Sequence, residues 1–545
     1  MLISSAFSLL WMTLPPAVQA QTPWRLEAFM EYFGTVRGSV LGGRVKGFVG
    51  SRSNNPYNIA VAEGRNPVLE DPRLLFYRIS TPQDTTPRWV IPYANNVDHG
   101  DFNGDGLTDF AVRKSVNTDR NDTVMVYLGD PTGIDTTASY RLPAEQERST
   151  FGWRMCVGDL NNDGIDDLVI TARDVYLQAS QLPHGRVYVY YGGDRLKSKP
   201  DLTITGPYAG ARLGTRCAIA DFNGDGIDDL VVHGQDVTVQ EAFFGYLNLY
   251  FGSAAPFDTV ADLTSPRSYR TIVSGLAAFD ANADGKTDLL WTYSDSLTSR
   301  KSVHIHYGGA DFAERFQAGP DFIIPAPFGS GDFGNEIANG GDMNGDGDED
   351  IVIAAYSTGQ ENGIVFVYTA GKALDDGYDA ARGQSREGNF GATADGIGDI
   401  NGDGYDDIIV GAPNQPWHRS QGYFGIFLGD SRILTGVADP STETPPSDFA
   451  LLHAHPNPFS YESLIQFTLP QKAVVKIKVY DILGKEVITL LDSQRLAGQH
   501  QARWSGRSES GEIVPTGIYF IRMQAHSIAG SQLLFQHARK ITVVK

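Results

Sequence analysis

Asp159-Leu160-Asn161-Asn162-Asp163-Gly164-Ile165-Asp166-Asp167 runs straight into Leu168-Val169-Ile170. This junction between an acidic loop and an apolar strand decides the fold, because it recurs. The pattern Asp-x-Asn-x-Asp-Gly-x-x-Asp begins at Asp101, Asp159, Asp221, Asp280, Asp342 and Asp399, in steps of 58, 62, 59, 62 and 57 residues. A fixed period of this size marks a propeller or solenoid made of one repeated unit. Each copy leads into a short β-branched run, such as Phe110-Ala111-Val112, Leu230-Val231-Val232 or Ile408-Ile409-Val410. Such runs beside clusters of Gly and Asp are strand signals.

The residue types point to calcium, a hard cation that takes six to eight oxygen ligands in a forgiving geometry. Positions 1, 3, 5 and 9 offer side-chain oxygen and position 7 a main-chain carbonyl. The candidate sets are Asp101, Asn103, Asp105, Leu107 and Asp109; Asp159, Asn161, Asp163, Ile165 and Asp167; and Asp221, Asn223, Asp225, Ile227 and Asp229. The later sets are Asp280, Asn282, Asp284, Lys286 and Asp288; Asp342, Asn344, Asp346, Asp348 and Asp350; and Asp399, Asn401, Asp403, Tyr405 and Asp407. Position 6 is always Gly, which supplies a positive φ without steric cost. Helical calcium hands need a bidentate Glu at position 12. Here that position holds Val112, Ile170, Val232, Trp291, Ile353 or Val410, so that class is excluded. One such loop alone reads equally well as a metal-free Asx turn. Six with every ligand position filled predict up to six calcium ions.

With 545 residues the chain has room for two or more domains. The net charge of −21 is largely loop acidity, since three Asp in each of six loops make eighteen. No basic surface is visible, which argues against nucleic acid. Cys156 and Cys217 lie three and four residues ahead of their loops, an offset that would point them differently on their strands. Two buried free thiols are the expectation, with a disulfide as the alternative. Residues 2–18 are nearly free of charge and Val18-Gln19-Ala20 offers a small-x-small cleavage site, so residues 1–20 read as a signal peptide, though without a basic n-region. No later apolar stretch is long enough to span a bilayer.

After each loop comes a second alternating strand, usually ending at Gly: Val124–Gly129, Val187–Gly192, Leu247–Gly252, Val303–Gly308, Val365–Tyr368 and Phe424–Gly429. Leu74-Leu75-Phe76-Tyr77 forms a seventh, preceded by Gly50–Asn58, which holds the loop position without its carboxylates. Phe151-Gly152, Leu213-Gly214, Phe333-Gly334 and Phe390-Gly391 precede four loops, and Gly411-Ala412-Pro413 follows the last. On these residues the chain resembles the FG-GAP repeats of the integrin α-subunit propeller and of many bacterial surface proteins, over roughly residues 24–433. The resemblance implies a calcium loop joining the first two strands of each blade. The expected fold is all-β, a seven-bladed β-propeller over 21–433 whose ring is closed by a strand near Arg25–Tyr32, because propellers must protect their edges.

Residues 434–452 read as a Pro-rich linker, and 453–545 as a second β-rich module. His455-Pro456-Asn457-Pro458-Phe459, Asp481–Val487, Trp504-Ser505-Gly506, Pro515–Ile521 and Lys540–Lys545 make this module resemble the type A sorting domain of the bacterial type IX secretion system. That resemblance implies a small immunoglobulin-like β-sandwich recognised by an outer-membrane translocon. It places the protein outside the cell or on its outer surface.

The sequence has no His-Glu-x-x-His, Gly-x-Ser-x-Gly, phosphate-binding glycine loop or Cys-x-x-Cys. His304 and His306 could pair on one strand face, but they align with Tyr188 and Tyr190 and read as packing residues. The expected function is non-catalytic binding or adhesion toward an unidentified extracellular glycan or protein. A ligand site is expected in variable loops such as Val175–His184, Gln235–Phe243 and Ser294–Lys301. The alternatives are a polysaccharide-processing enzyme with a site on the propeller face, and an architectural surface component.

Overall fold

A computed structural model describes residues 24–544, apart from segments at 34–40, 49–57, 64–71, 116–121, 239–243, 270–274, 295–300, 328–331, 357–362, 384–388, 414–421, 435–448, 456–462, 509–512 and 528–531 and isolated positions between them. The expected signal peptide, residues 50–57 of the carboxylate-free loop, the Asn457-Pro458-Phe459 opening and residues 435–448 of the linker lie outside the described residues, as do parts of the three variable loops. The chain divides into two compact units, Met1–Leu434 and Thr435–Lys545.

Among the described residues of the first unit, seven large sheets follow one another along the chain, antiparallel except that Trp24–Arg25 lies parallel to Ala380–Ala381 at the edge of the sixth. Sheet 1 comprises Leu41–Gly47, Ile59–Glu63, Arg73–Tyr77 and Trp89–Pro92, and sheet 2 Ala94–Gly100, Asp109–Ser115, Asp122–Tyr127 and Tyr140–Pro143. Sheets 3 to 6 repeat this plan, their first strands being Met155–Gly158, Leu213–Ala220, Leu276–Phe279 and Phe333–Asn339. Sheet 7 takes only three strands from the end of the unit: Thr393–Gly398, Asp407–Ala412 and Tyr423–Phe427. Its fourth is N-terminal, Ala28–Phe33, laid antiparallel on Tyr423–Phe427. The strand expected near Arg25–Tyr32 therefore does close the last sheet.

Strand alternation explains the core. Both faces of every sheet are apolar, and seven buried clusters each bridge two sheets. Val169, Val187 and Val189 of sheet 3 meet Leu230 and Val232 of sheet 4, whereas Leu168 and Ile170 turn to Ala111, Val124 and Val126 of sheet 2. The seventh cluster joins Ile409, Phe424 and Ile426 of sheet 7 to Ile59, Val61 and Leu75 of sheet 1, so the succession is circular. The first strands neighbour one another in the same circular order, and they form its inside.

This alternation overturns the expectation of free thiols. Cys156 and Cys217 form a disulfide, with Cα atoms 6.2 Å apart. Cys156 pairs with Val169 and Cys217 with Val232, residues of the two faces that confront each other. Consecutive sheets meet through opposite faces, so facing residues must differ by one position in register. The unequal offset that seemed to part the cysteines brings them together.

The Phe-Gly signature also acquires a physical reason. Phe151, Phe333 and Phe390 are buried between sheets. Gly334 follows at φ +75°, and a Cβ there would lie 2.5 Å from Thr292 Oγ1 of the preceding sheet. The ladder slips between Phe333 and Glu336, as in a β-bulge.

The second unit is a pair of antiparallel sheets. One is ordered Ala450–His455, Ser463–Leu469, Gly498–Trp504, the other Glu486–Arg495, Ala473–Tyr480, Gly517–His526, Leu533–Val543. The boundary expected at 453 thus falls inside the first strand. Alternating residues Val475, Ile477 and Val479 pack with Phe467, Trp504, Ile521 and Met523 into one core, the construction of a β-sandwich. Trp504 and Tyr519, from two of the motif words, meet edge to face at 5.2 Å.

Candidate functional site

Each acidic loop joins the first and second strands of its sheet, as expected. In the second loop the position-1 carboxylate accepts two main-chain N–H bonds, Asp163 N to Asp159 Oδ1 at 3.1 Å and Gly164 N to Oδ2 at 2.8 Å. Asn161 Oδ1 accepts from Asp163 N at 2.9 Å, and Asp163 Oδ1 from Ile165 N at 2.9 Å. The other five loops repeat all four bonds; the position-6 to position-1 bond, for example, spans 2.7–2.9 Å throughout. The turn needs a left-handed residue, and the six glycines at position 6 have φ from +82° to +93°.

Position 9 is the first residue of the second strand in five sheets and directly precedes it at Asp350, and all six Asp there are fully buried. Asp167 Oδ2 accepts from Leu160 N and its Oδ1 from Gly192 N, both at 2.9 Å. The same pair of bonds forms at Asp109, Asp229, Asp288, Asp350 and Asp407. The second donor is the glycine two residues past the end of the third strand, or Ala370 in sheet 6. One carboxylate therefore ties the loop to the third strand. Burial pushes these groups up to about 7, and Asp350 to about 8, against their backbone hydrogen bonds. The neighbouring Asp of the same loop push in the same direction.

The loops also fasten one sheet to the next. Gly193 N donates to Phe102 O at 3.0 Å, and Ser253 to Leu160, Gly309 to Phe222, Gly371 to Ala281 and Asp430 to Met343 in the same way. Position 8 adds a joint that the motif did not reveal. Asp166, Asp228, Glu349 and Asp406 accept the N–H of Asp101, Asp159, Asp280 and Asp342, at 2.7, 2.9, 3.2 and 3.0 Å. An acid recurs at this position in four of the six copies, a signal available in the sequence but carried there only as extra charge.

The structure thus brings every predicted site residue into its own loop. The donor set is all oxygen, which suits a hard divalent cation. Among the described residues, no three His, Cys, Asp or Glu side chains converge closely enough to form a metal cluster. The carboxylates of positions 1 and 5 are turned onto the loop's own N–H groups. His304 stacks on Tyr293 at 4.4 Å and His306 packs tilted against Phe316 at 4.8 Å; burial lowers them to about 4 and about 3, so both are neutral packing rings.

Comparison with known proteins agrees with this architecture. The FG-GAP-like repeat family matches residues 101–170, and the FG-GAP repeat family matches 151–190, 333–368 and 390–426. The FlgD Ig-like domain family matches 460–528. Integrin alpha-5 of Xenopus laevis is 34% identical over 137 residues, 24% of this chain and 13% of that protein. Phosphatidylinositol-glycan-specific phospholipase D of Rattus norvegicus is 31% identical over 188 residues, 32% of this chain and 21% of the other. Integrin alpha pat-2 of Caenorhabditis elegans is 28% identical over 236 residues, 37% of this chain and 18% of the other. The chain therefore matches about a fifth or less of each relative's length. These similarities support an integrin-α-like β-propeller with FG-GAP repeats, followed by an Ig-like domain. No described helix is long and apolar enough to cross a membrane.

Proposed function

We propose that the protein is a secreted or cell-surface binding protein, a seven-bladed propeller stabilised by up to six calcium ions and exported through the type IX secretion system. The carrying observation is that all six acidic loops are committed to joints between strands and sheets, which assigns their acidity to the scaffold. The ring axis and the loops between strands are left for a ligand.

Calcium would be held by the side chains at positions 1, 3, 5 and 9 and the carbonyl at position 7. It would supply positive charge where a buried carboxylate lies beside two others of its loop. With sites of about 10⁻⁴ M and millimolar calcium, each ion stabilises by about 1.4 kcal/mol. Melting of the full chain in calcium and in chelator tests this, and coincident curves refute it. The C-terminal module supports export through its motif words and its sandwich fold. Deleting 453–545 is expected to strand the protein in the periplasm; surface display of the truncated chain refutes the assignment.

Similarity to a phospholipase D supports a second reading, an enzyme acting on a glycan or glycolipid. Turnover of such a substrate by the purified chain would replace the binding reading.

A further inference from the structure

On the axis of the first unit lies a cavity of about 550 Å³ lined by the first strands of all seven sheets. That volume falls within the range of small-molecule sites. Its charges stand at two levels. At one, three guanidiniums, Arg44, Arg154 and Arg216, share one carboxylate, Glu336. Arg216 forks onto Glu336 at 2.7 and 3.0 Å and donates to Asn335 O at 3.1 Å. Arg44 donates to Trp153 O at 3.2 Å. Arg154 approaches Glu336 only to 3.9 Å, and its Nε is shielded from solvent with no hydrogen-bond partner among the described residues. Two residues further along the strand of Arg44, Lys46 lies between Asp98 at 3.4 Å and Asp395 at 3.9 Å.

The first level has two positive charges more than its single carboxylate balances. Burial, and then the charge of Arg216, lower Arg44 to about 9, and the same causes lower Arg154, so the cations crowd one another. Guanidiniums in fixed positions match the planar geometry of a carboxylate. Asp98 and Asp395 at the next level are acceptors suited to hydroxyl groups, and their negative charge disfavours a polyanion.

We propose that the axial cavity binds a small hydroxylated carboxylate, its carboxylate seated among Arg44, Arg154 and Arg216 and its hydroxyls on Asp98 and Asp395. The inference deepens the binding reading by naming a ligand chemistry. It rests on that reading for the ring, and is independent of calcium and of export.

The test is calorimetric titration of the full chain with sodium D-glucuronate, and with D-glucose as the neutral analogue. Saturable binding of glucuronate and none of glucose is expected. Arg154→Gln, which leaves the Arg216–Glu336 fork in place, is expected to weaken binding at least tenfold. Glu336→Gln, which removes the competing carboxylate, is expected to tighten it. Absence of saturable glucuronate binding, equal binding of glucose, or an affinity unchanged by Arg154→Gln overturns the inference. A chain that binds some other glycan or protein but no glucuronate refutes this inference and leaves the binding reading intact.

Discussion

Replacing Asp167 by Ala removes the acceptor shared by Leu160 N and Gly192 N, each 2.9 Å away, at a carboxylate with no exposed surface. A buried donor left without a partner costs about 1–3 kcal/mol, so two cost about 2–6 kcal/mol. At pH 8 the native carboxylate carries its own burial penalty, which the substitution relieves, so the expected loss is about 2–4 kcal/mol in chelator. For a unit of roughly 400 residues the unfolding entropy converts about 1 kcal/mol into about 1 °C, giving a fall of about 2–5 °C. Circular dichroism melts of the full chain read it directly. Asp167→Asn keeps one acceptor oxygen and should lose about half as much. In millimolar calcium the Ala variant should lose a further ~1.4 kcal/mol, because one ion no longer binds. A melting temperature within 1 °C of the parent in chelator refutes the claim that position 9 fastens the loop to the third strand.

Asp228→Ala strands the main-chain N–H of Asp159 but removes no proposed calcium-ligating atom, so it should cost about 1–2 kcal/mol equally with and without calcium. The position-9 carboxyls are raised in the folded state, so the native chain binds more protons than the unfolded one between the ordinary Asp value and about 7. In chelator, stability should therefore fall as pH rises from about 4 to 7, and calcium should stabilise most above pH 7. A calcium-free melting temperature that rises steadily over that interval refutes this. Reducing the Cys156–Cys217 bond, which spans 61 residues, should cost about 4 kcal/mol by loop-closure entropy, seen as a lower urea midpoint of the Cys156→Ser, Cys217→Ser double variant.

Repeats, strands and the acidic loops that join them were legible in the sequence because each is local: nine consecutive residues define a loop, and alternation defines the strand after it. Ring closure by Ala28–Phe33 was legible by elimination, since an open edge needs a partner. The joints were harder, because Asp101 and Asp166, or Ser253 and Leu160, are tens of residues apart and meet only once two sheets are stacked. The cysteines show the same limit. Their register was read within one repeated unit, whereas the contact is made between opposite faces of two units. The axial guanidiniums carry no local signal at all, for Arg216 and Glu336 are 120 residues apart and belong to no motif.

The pairing of Ala28–Phe33 with Tyr423–Phe427 clasps the last sheet with a strand from the other end of the unit, beside the apolar contact of sheets 7 and 1. If it opens, Tyr423–Phe427 becomes an edge with an unsatisfied ladder, and the released N-terminal strand becomes a ready complement for the same edge on another copy. Exchange of that strand between copies would preserve every native contact, the usual condition for domain-swapped dimers and chains. Crowding such molecules together would then favour linked rings in register, a route to self-association that requires no new surface.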